Sequence, residues 1–535
     1  MNSQSRLLSF VHFLSIAVSV ASLCVCVQVA HAAPPDVQVW GMAEVSFRGP
    51  QNGNPFVDVD LKATFTQGRS SFTVRGFYDG AGTYKVRFMP NAAGTWNYRT
   101  TSNAAALANK SGQVRVLAAA KGNHGPVRVK EKFHFAFADG SAYYPFGTTI
   151  YAMVHQPAVL QEQTLASLAK SPFNKLRICV FPKWYEYNHT EPPLLPFVHK
   201  ADGFPDPTQP NPAYWRMLEA RIMDLQRLGV EVDLILFHPY DESKKPGQPV
   251  HWGYDNMPPD ANKAYLRYLA ARLGAFRNVW WSMANEWDFV GGRSVEQWNE
   301  LFDVLEQEDP YKHLTSIHNG AKFFDHTRRS ITHTSVQAAD TTKMLEWRNQ
   351  YAKPVIDDEC QYEGNIESEW GNITGEELSH RFWDGFVRGG YVGHGETFHA
   401  EDEVLWWSKG GVLKGESPAR IGFLRKIVES CGPLEPVIDK NTRFVQTPVA
   451  RCGDSFLIYL GEHRPALTGP GLLRKVFGVE PALKNARWRF EVIDTWAMTQ
   501  TPAPGEYSGE FTLRLPGRPY VAVRATPIRV KAARK

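Results

Sequence analysis

From residue 37 to about 117 the chain runs in short alternations of apolar and polar residues broken by Gly, Asn and Pro: VQVWGMAEVSF, PFVDVDLKATF, SSFTVRGFY, TYKVRFMP, GTWNYRTT and SGQVRVLAA. A strand turns successive side chains to opposite faces, so this period predicts an antiparallel β-sandwich of the immunoglobulin kind over 36–120. A Gly-bounded linker at 122–125 follows. Over 126–432 apolar strand candidates alternate with helix-length segments. Strands are predicted at 143–150, 174–181, 230–238, 278–285, 313–318, 330–335, 354–359 and 391–397. Between them Tyr214, Leu218, Ile222, Leu225 and Leu228 recur at helical spacing, as do Val295, Trp298, Leu301, Phe302 and Leu305 behind a Ser294/Gln297 capping box. Eight strands alternating with helices over about 300 residues predict a (β/α)8 TIM barrel. An open doubly wound sheet is the alternative, but no Gly-rich phosphate loop follows the first strand. Strand patterns resume over 435–527 and predict a small C-terminal antiparallel β domain, ending in a basic tail of Arg529, Lys531, Arg534 and Lys535.

Length and composition agree with this multi-domain reading. The 535 residues suffice for three or four domains, and 43% hydrophobic against 21% charged residues suits packed cores. Lys plus Arg exceed Asp plus Glu by only 59 to 55, which argues against a nucleic-acid partner. Arg6, an apolar run from Leu7 to Val29 and the small residues of Ala30-His31-Ala32 predict a cleavable signal peptide over 1–32, and hence a secreted or periplasmic protein. No later segment is long and apolar enough to span a membrane. Of the cysteines outside that leader, Cys431 and Cys452 lie in neighbouring segments and are the expected disulfide; Cys179 and Cys360 sit in apolar runs and are expected as buried thiols.

Reacting groups of such a barrel sit at the C-terminal ends of its strands. The fourth candidate strand ends in Ala284-Asn285-Glu286-Trp287 and the seventh in Asp357-Asp358-Glu359-Cys360. Two carboxylates across a barrel mouth are what glycoside hydrolysis needs, one to protonate the leaving oxygen and one to meet positive charge at the sugar carbon. By strict alternation Asp357 shares the face of Glu359 and Asp358 does not; a register one residue different makes Asp358 the competitor. Glu363 and Glu396 are further candidates, with Glu396 expected at substrate hydroxyls. Sugar sites also want aromatic platforms. Trp184, Tyr185 and Tyr187 follow strand two, His238 and Tyr240 end strand three, Trp252 and Tyr254 lie in the next loop, and Trp287, Tyr362, Trp406 and Trp407 complete the set.

The segments FGTTIY (146–151), NKLRICVFP (174–182), WSMANEWDF (281–289), KPVIDDECQYEGN (353–365) and GGYVGHGETF (389–398) resemble the apiosidase-like barrels, within the clan of retaining glycosidases that carries Asn-Glu on strand four and Glu on strand seven. The resemblance implies a glycoside hydrolase without a cofactor, acting on a polysaccharide or oligosaccharide of the plant cell-wall type. It makes Glu286 the acid/base, Glu359 the nucleophile, Asn285 the residue that bonds the sugar 2-hydroxyl, and Arg177 a support for the nucleophile. An Arg there would lower the pKa of Glu359, while burial and neighbouring negative charge would raise that of Glu286.

Two other readings stand beside it. His238, His318, His333 and His394 near strand ends suggest a metal-dependent hydrolase, although neither H-x-H at the first strand nor H-E-x-x-H occurs. A non-catalytic carbohydrate-binding or adhesion protein would have no need of both carboxylates. Oligomeric state has no marker in the pattern.

Overall fold

The computed structural model describes residues 36–241, 251–438 and 447–528. The expected leader, the basic tail and residues 439–446 of the expected C-terminal domain lie outside them. At the N-terminal side, alternation works as read: Ala43, Val45 and Phe47 are buried while Ser46 and Arg48 are exposed. Seven strands join, and Ser70–Tyr78 pairs through its first half with Leu61–Gln67 and through its second with Thr83–Phe88. The sheet thereby folds over its own core, where Phe65 stacks on Phe88 with ring centres 4.2 Å apart.

The barrel strands are β1 (Gly147–Thr149), β2 (Lys175–Cys179), β3 (Glu231–Ile235), β4 (Val279–Ser282), β5 (Thr315–Ser316), β6 (Thr334–Gln337), β7 (Val355–Glu359) and β8 (Tyr391–His394). Each lies within one of the predicted windows or, for β6, overlaps it by two residues. They pair in parallel in the order β5-β4-β3-β2-β1-β8-β7-β6. Thr332 N donates to Thr315 O at 2.9 Å and Thr315 N to Thr332 Oγ1 at 2.8 Å, which closes the ring between β5 and β6.

Outside lie α1 (Ala158–Leu168), α2 (Pro212–Arg227), α3 (Pro259–Leu273), α4 (Val295–Glu308), α5 (Met344–Tyr351), α6 (Gly375–Val387) and α7 (Ser417–Cys431). No helix separates β5 from β6. Instead Lys353 Nζ donates to the carbonyls of His326, Arg328 and Ile331 at 2.5 to 2.6 Å, satisfying backbone groups that a helix would have paired internally.

Period two also sorts the barrel strands. Leu176 and Ile178 of β2 pack outward with Leu218 and Ile222 of α2, whereas Lys175 and Arg177 point inward. Lys175 Nζ lies 2.7 Å from Asp233 of β3 and 2.8 Å from Asp358 of β7, and Ser335 of β6 donates to Asp358 at 2.6 Å. These groups are fully buried, so each charge needs its partner.

At β7 strict alternation fails. β6 pairs Val336 with Asp357 and Gln337 with Glu359, skipping Asp358. This bulge turns Asp358 and Glu359 both toward the barrel interior, while Asp357 accepts from Ala338 N at 3.3 Å. The face expected for Asp357 is therefore taken by Asp358, whose carboxylate is held by Lys175 below the mouth.

A six-stranded antiparallel sheet forms the C-terminal region, with Val521–Ile528 between Ser455–Tyr459 and Arg487–Asp494. The Cys431–Cys452 disulfide ties the end of α7 to this sheet. Cys179 and Cys360 are free and buried.

Candidate active site

Glu286 stands just beyond β4 with φ +47°, a left-handed conformation costly for a side chain with a Cβ. The flanking backbone holds it there. Asn285 N donates to Phe237 O at 2.9 Å, His318 N to Ala284 O at 3.0 Å and Trp287 N to His318 O at 3.0 Å, so the turn is clamped between the ends of β3 and β5.

From this turn a chain of hydrogen bonds crosses the mouth. Asn285 Nδ2 donates to Glu286 Oε2 at 3.0 Å; Asn285 Oδ1 accepts from Arg177 Nη2 at 2.9 Å; Arg177 Nη1 donates to Glu359 Oε1 at 3.0 Å. Tyr151, after β1, donates to Glu359 and reaches Asn285 Oδ1 at 3.2 Å. Tyr240 donates to Glu286, and Gln337 Nε2 lies 3.5 Å from its other oxygen. His238 does not reach a carboxylate. Its Nε2 donates to Phe181 O at 3.1 Å and its Nδ1 accepts from Tyr240 N at 3.1 Å, so it positions Tyr240 as a neutral ring whose pKa burial has pushed down to about 3.

The two carboxylates differ in proton affinity. Burial raises the pKa of Glu286, and the charge of Glu359 raises it further, against the opposing pull of Lys183 and Tyr240. Burial pushes Glu359 up as well, but His318, Arg177, the Tyr151 hydroxyl and Lys183 together hold it below the usual carboxylate range. Burial brings His318 itself down to about 4, so near neutral pH Arg177 is the cation that touches Glu359. One group is thus biased toward the acid form and its neighbour toward the anion.

Aromatic residues wall the mouth. Tyr151, Tyr362 and Trp407 share a buried cluster with Cys179 and Ile235, and Tyr185, Tyr187 and Trp370 pack against it. Gly395 leaves room for this wall, since a Cβ there would stand 2.6 Å from the Tyr362 ring. Burial and the charge of Glu359 raise the Tyr362 hydroxyl pKa far above its ordinary value. Trp287 packs edge-on against Phe324 with ring centres 5.0 Å apart. Trp184 stacks on His251 at 3.8 Å, with Trp252 edge-on to it. Tyr254 and Trp406 belong to the barrel's outer core; Trp406 Nε1 donates to Thr148 Oγ1 at 2.9 Å.

Glu396, expected at substrate hydroxyls, is used differently. Its carboxylate accepts from Lys414 N and from Gly415 N, the latter at 2.8 Å, and only 1% of the residue is exposed. Glu363 likewise accepts from Glu416 N at 2.7 Å and Ser417 N at 3.0 Å, at the start of α7. Both acids thus anchor the 414–417 backbone, a role that depends on a loop distant in sequence. Among the described residues no group of three or more His, Cys, Asp or Glu is disposed to hold a metal ion.

Tyr151, Lys183, Trp370 and Gln337 were not among the candidates singled out from the sequence. Tyr151 closes the FGTTIY segment, and its position directly after a strand end was the available signal.

A (β/α)8 barrel whose mouth holds two carboxylates of opposite proton affinity has the architecture of a glycoside hydrolase, and comparison with known proteins agrees. A crystal structure of a candidate glycoside hydrolase from Bacteroides vulgatus is 38% identical over 92% of this chain and 100% of its own, with TM-score 0.84. A family 5 glycoside hydrolase from the same species shares the fold at 16% identity, covering 75% of this chain and 94% of its own, with TM-score 0.54. No match was found among curated proteins. The family model described as apiosidase-like, catalytic domain matches residues 130–417, and two domains of unknown function match 36–103 and 445–526. The chain belongs to the apiosidase-like family and is a glycoside hydrolase with a carbohydrate substrate.

Proposed function

We propose that this protein is a secreted retaining glycosidase in which Glu359 attacks the anomeric carbon and Glu286 first protonates the leaving oxygen, then deprotonates the incoming water. The observation that carries this reading is the asymmetry of the pair. Glu359 is touched by a buried guanidinium and a phenol hydroxyl, while Glu286 is touched by neutral donors and feels its partner's charge. In the first step an oxygen of Glu359 bonds to C1 as the C1–O bond breaks and the Glu286 proton passes to the departing oxygen. In the second, water gives its proton to Glu286 and displaces Glu359. Arg177 and Tyr151 orient the nucleophile, and Asn285, fixed by Arg177, is left to meet the 2-hydroxyl. The family likeness supports a complex polysaccharide side chain of the plant cell-wall type as substrate. The Cys431–Cys452 disulfide and the signal-like segment at 1–32 support export to an oxidising compartment. Retention is tested by following hydrolysis by proton NMR: the first-formed sugar has the anomeric configuration of the substrate if Glu359 is a nucleophile, and the opposite one if a water attacks directly.

A further inference from the structure

Lys183 touches neither carboxylate and bears on the chemistry just described only through its charge. It follows β2, is 2% exposed, and its ammonium lies 3.6 Å from the ring centre of Tyr151, 4.1 Å from Tyr240, 4.5 Å from Tyr185 and 5.2 Å from Trp407. Ring faces attract a cation but accept none of its three N–H donors in the way an oxygen does. Lys183 Nζ makes no hydrogen bond and no ion pair among the described residues. The other buried cations of the barrel interior differ, since Lys175 is held by Asp233 and Asp358 and Arg177 by Glu359 and Asn285.

Its location restricts what completes it. Tyr151 binds the proposed nucleophile and Tyr240 the proposed acid, so an ammonium over both rings lies beside the sugar whose bond is cut, not at a distant subsite. Its field reaches both Glu286 and Glu359. Glycoside cleavage develops positive charge on that sugar. An ammonium without a counter-ion of its own opposes this charge, whereas an ammonium neutralised by the substrate does not. A neutral hydroxyl would accept a hydrogen bond but leave the charge in place; an anionic oxygen group does both.

Resting on the assignment of Glu286 and Glu359 as the catalytic pair, we propose that Lys183 binds an anionic oxygen group on the reacting sugar, a uronate carboxylate or a sulfate ester, and makes this glycosidase selective for acidic sugars. Lys183 is then a specificity residue, and the aromatic cage holds its ammonium at one point before substrate arrives.

The test uses the purified full chain and matched pairs of aryl glycosides in both anomers: glucuronides against glucosides, galacturonides against galactosides, and 6-sulfated against unsulfated galactosides. Wild type is expected to favour an acidic member by at least about 100-fold in kcat/KM, the uronide and sulfate arms telling the two sources apart. Lys183→Met, which keeps the stem and removes the charge, is expected to cut that preference by at least about 10-fold through KM, with Lys183→Arg retaining part of it. Preference for the neutral members by wild type, or an unchanged preference in folded Lys183→Met, overturns the proposal. Should Lys183→Met not fold, saturation-transfer NMR on wild type with free glucuronate, galacturonate and galactose 6-sulfate against glucose and galactose decides, and equal binding of acidic and neutral sugars overturns it. Glu286→Gln and Glu359→Gln run in parallel: full hydrolysis by both overturns the catalytic reading instead, and the binding comparison still judges Lys183.

Discussion

Replacing Arg177 by Met removes the one guanidinium in contact with Glu359 among the described residues and leaves a carboxylate that is only 9% exposed. At an effective dielectric near 20, unit charges at the 3.0 Å contact interact by about 332/(20 × 3.0), or roughly 5 kcal/mol. Charge spread over the guanidinium and the retained Tyr151 bond reduce the net loss to about 2–3 kcal/mol, and that loss raises the pKa of Glu359. The nucleophile must be ionised, so the acidic limb of the kcat/KM profile moves to higher pH, while loss of the Asn285 clamp lowers the optimum by about 100-fold. Stability carries the same sign. In wild type the lowered pKa of Glu359 contributes stability above its unfolded pKa, and this is lost as pH falls through the folded value. The melting difference between wild type and variant is therefore largest at neutral pH and shrinks on acidification. The assay is a pH series on an activated aryl glycoside with melting curves alongside. A folded variant whose acidic limb does not move refutes the reasoning.

Glu286→Gln should abolish the alkaline limb and cost about 10²–10⁴-fold on substrates with poor leaving groups, with smaller losses on activated ones; comparing the two leaving-group classes checks this. Tyr240→Phe removes a donor that favours the anionic form of Glu286, so the alkaline limb should move to higher pH, and a shift to lower pH would contradict that. Replacing Cys431 and Cys452 by Ser opens a loop of sequence separation 21 and should cost about 3 kcal/mol of unfolding free energy, read by denaturant titration, with kcat unchanged.

Much of the scaffold was legible because its strands are short β-rich runs and its sandwich strands alternate cleanly. The Asn285-Glu286 and Glu359 positions were readable because strand ends mark a barrel's mouth. Other features depend on contacts that no local pattern encodes. A bulge opposite Gln337 turned Asp358 inward, which period-two counting could not foresee. Glu396 and Glu363 look like catalytic acids until the 414–417 backbone folds back onto them. Tyr151 and Lys183 acquire roles only when loops after β1, β2 and β3 close over one another. The missing helix between β5 and β6 left no mark in the strand count, because Lys353 supplies its donors from beyond β6.

The most direct measurement is the identity of the residue that becomes covalently bound to sugar. A 2-deoxy-2-fluoro glycosyl fluoride matched to the preferred sugar slows the second step more than the first, and peptide mass spectrometry then locates the label. The account predicts one sugar per chain, on the peptide carrying Glu359 and absent from Glu359→Gln. A label on Asp358 or Glu286, or inactivation by no such reagent alongside inverted product, would contradict it.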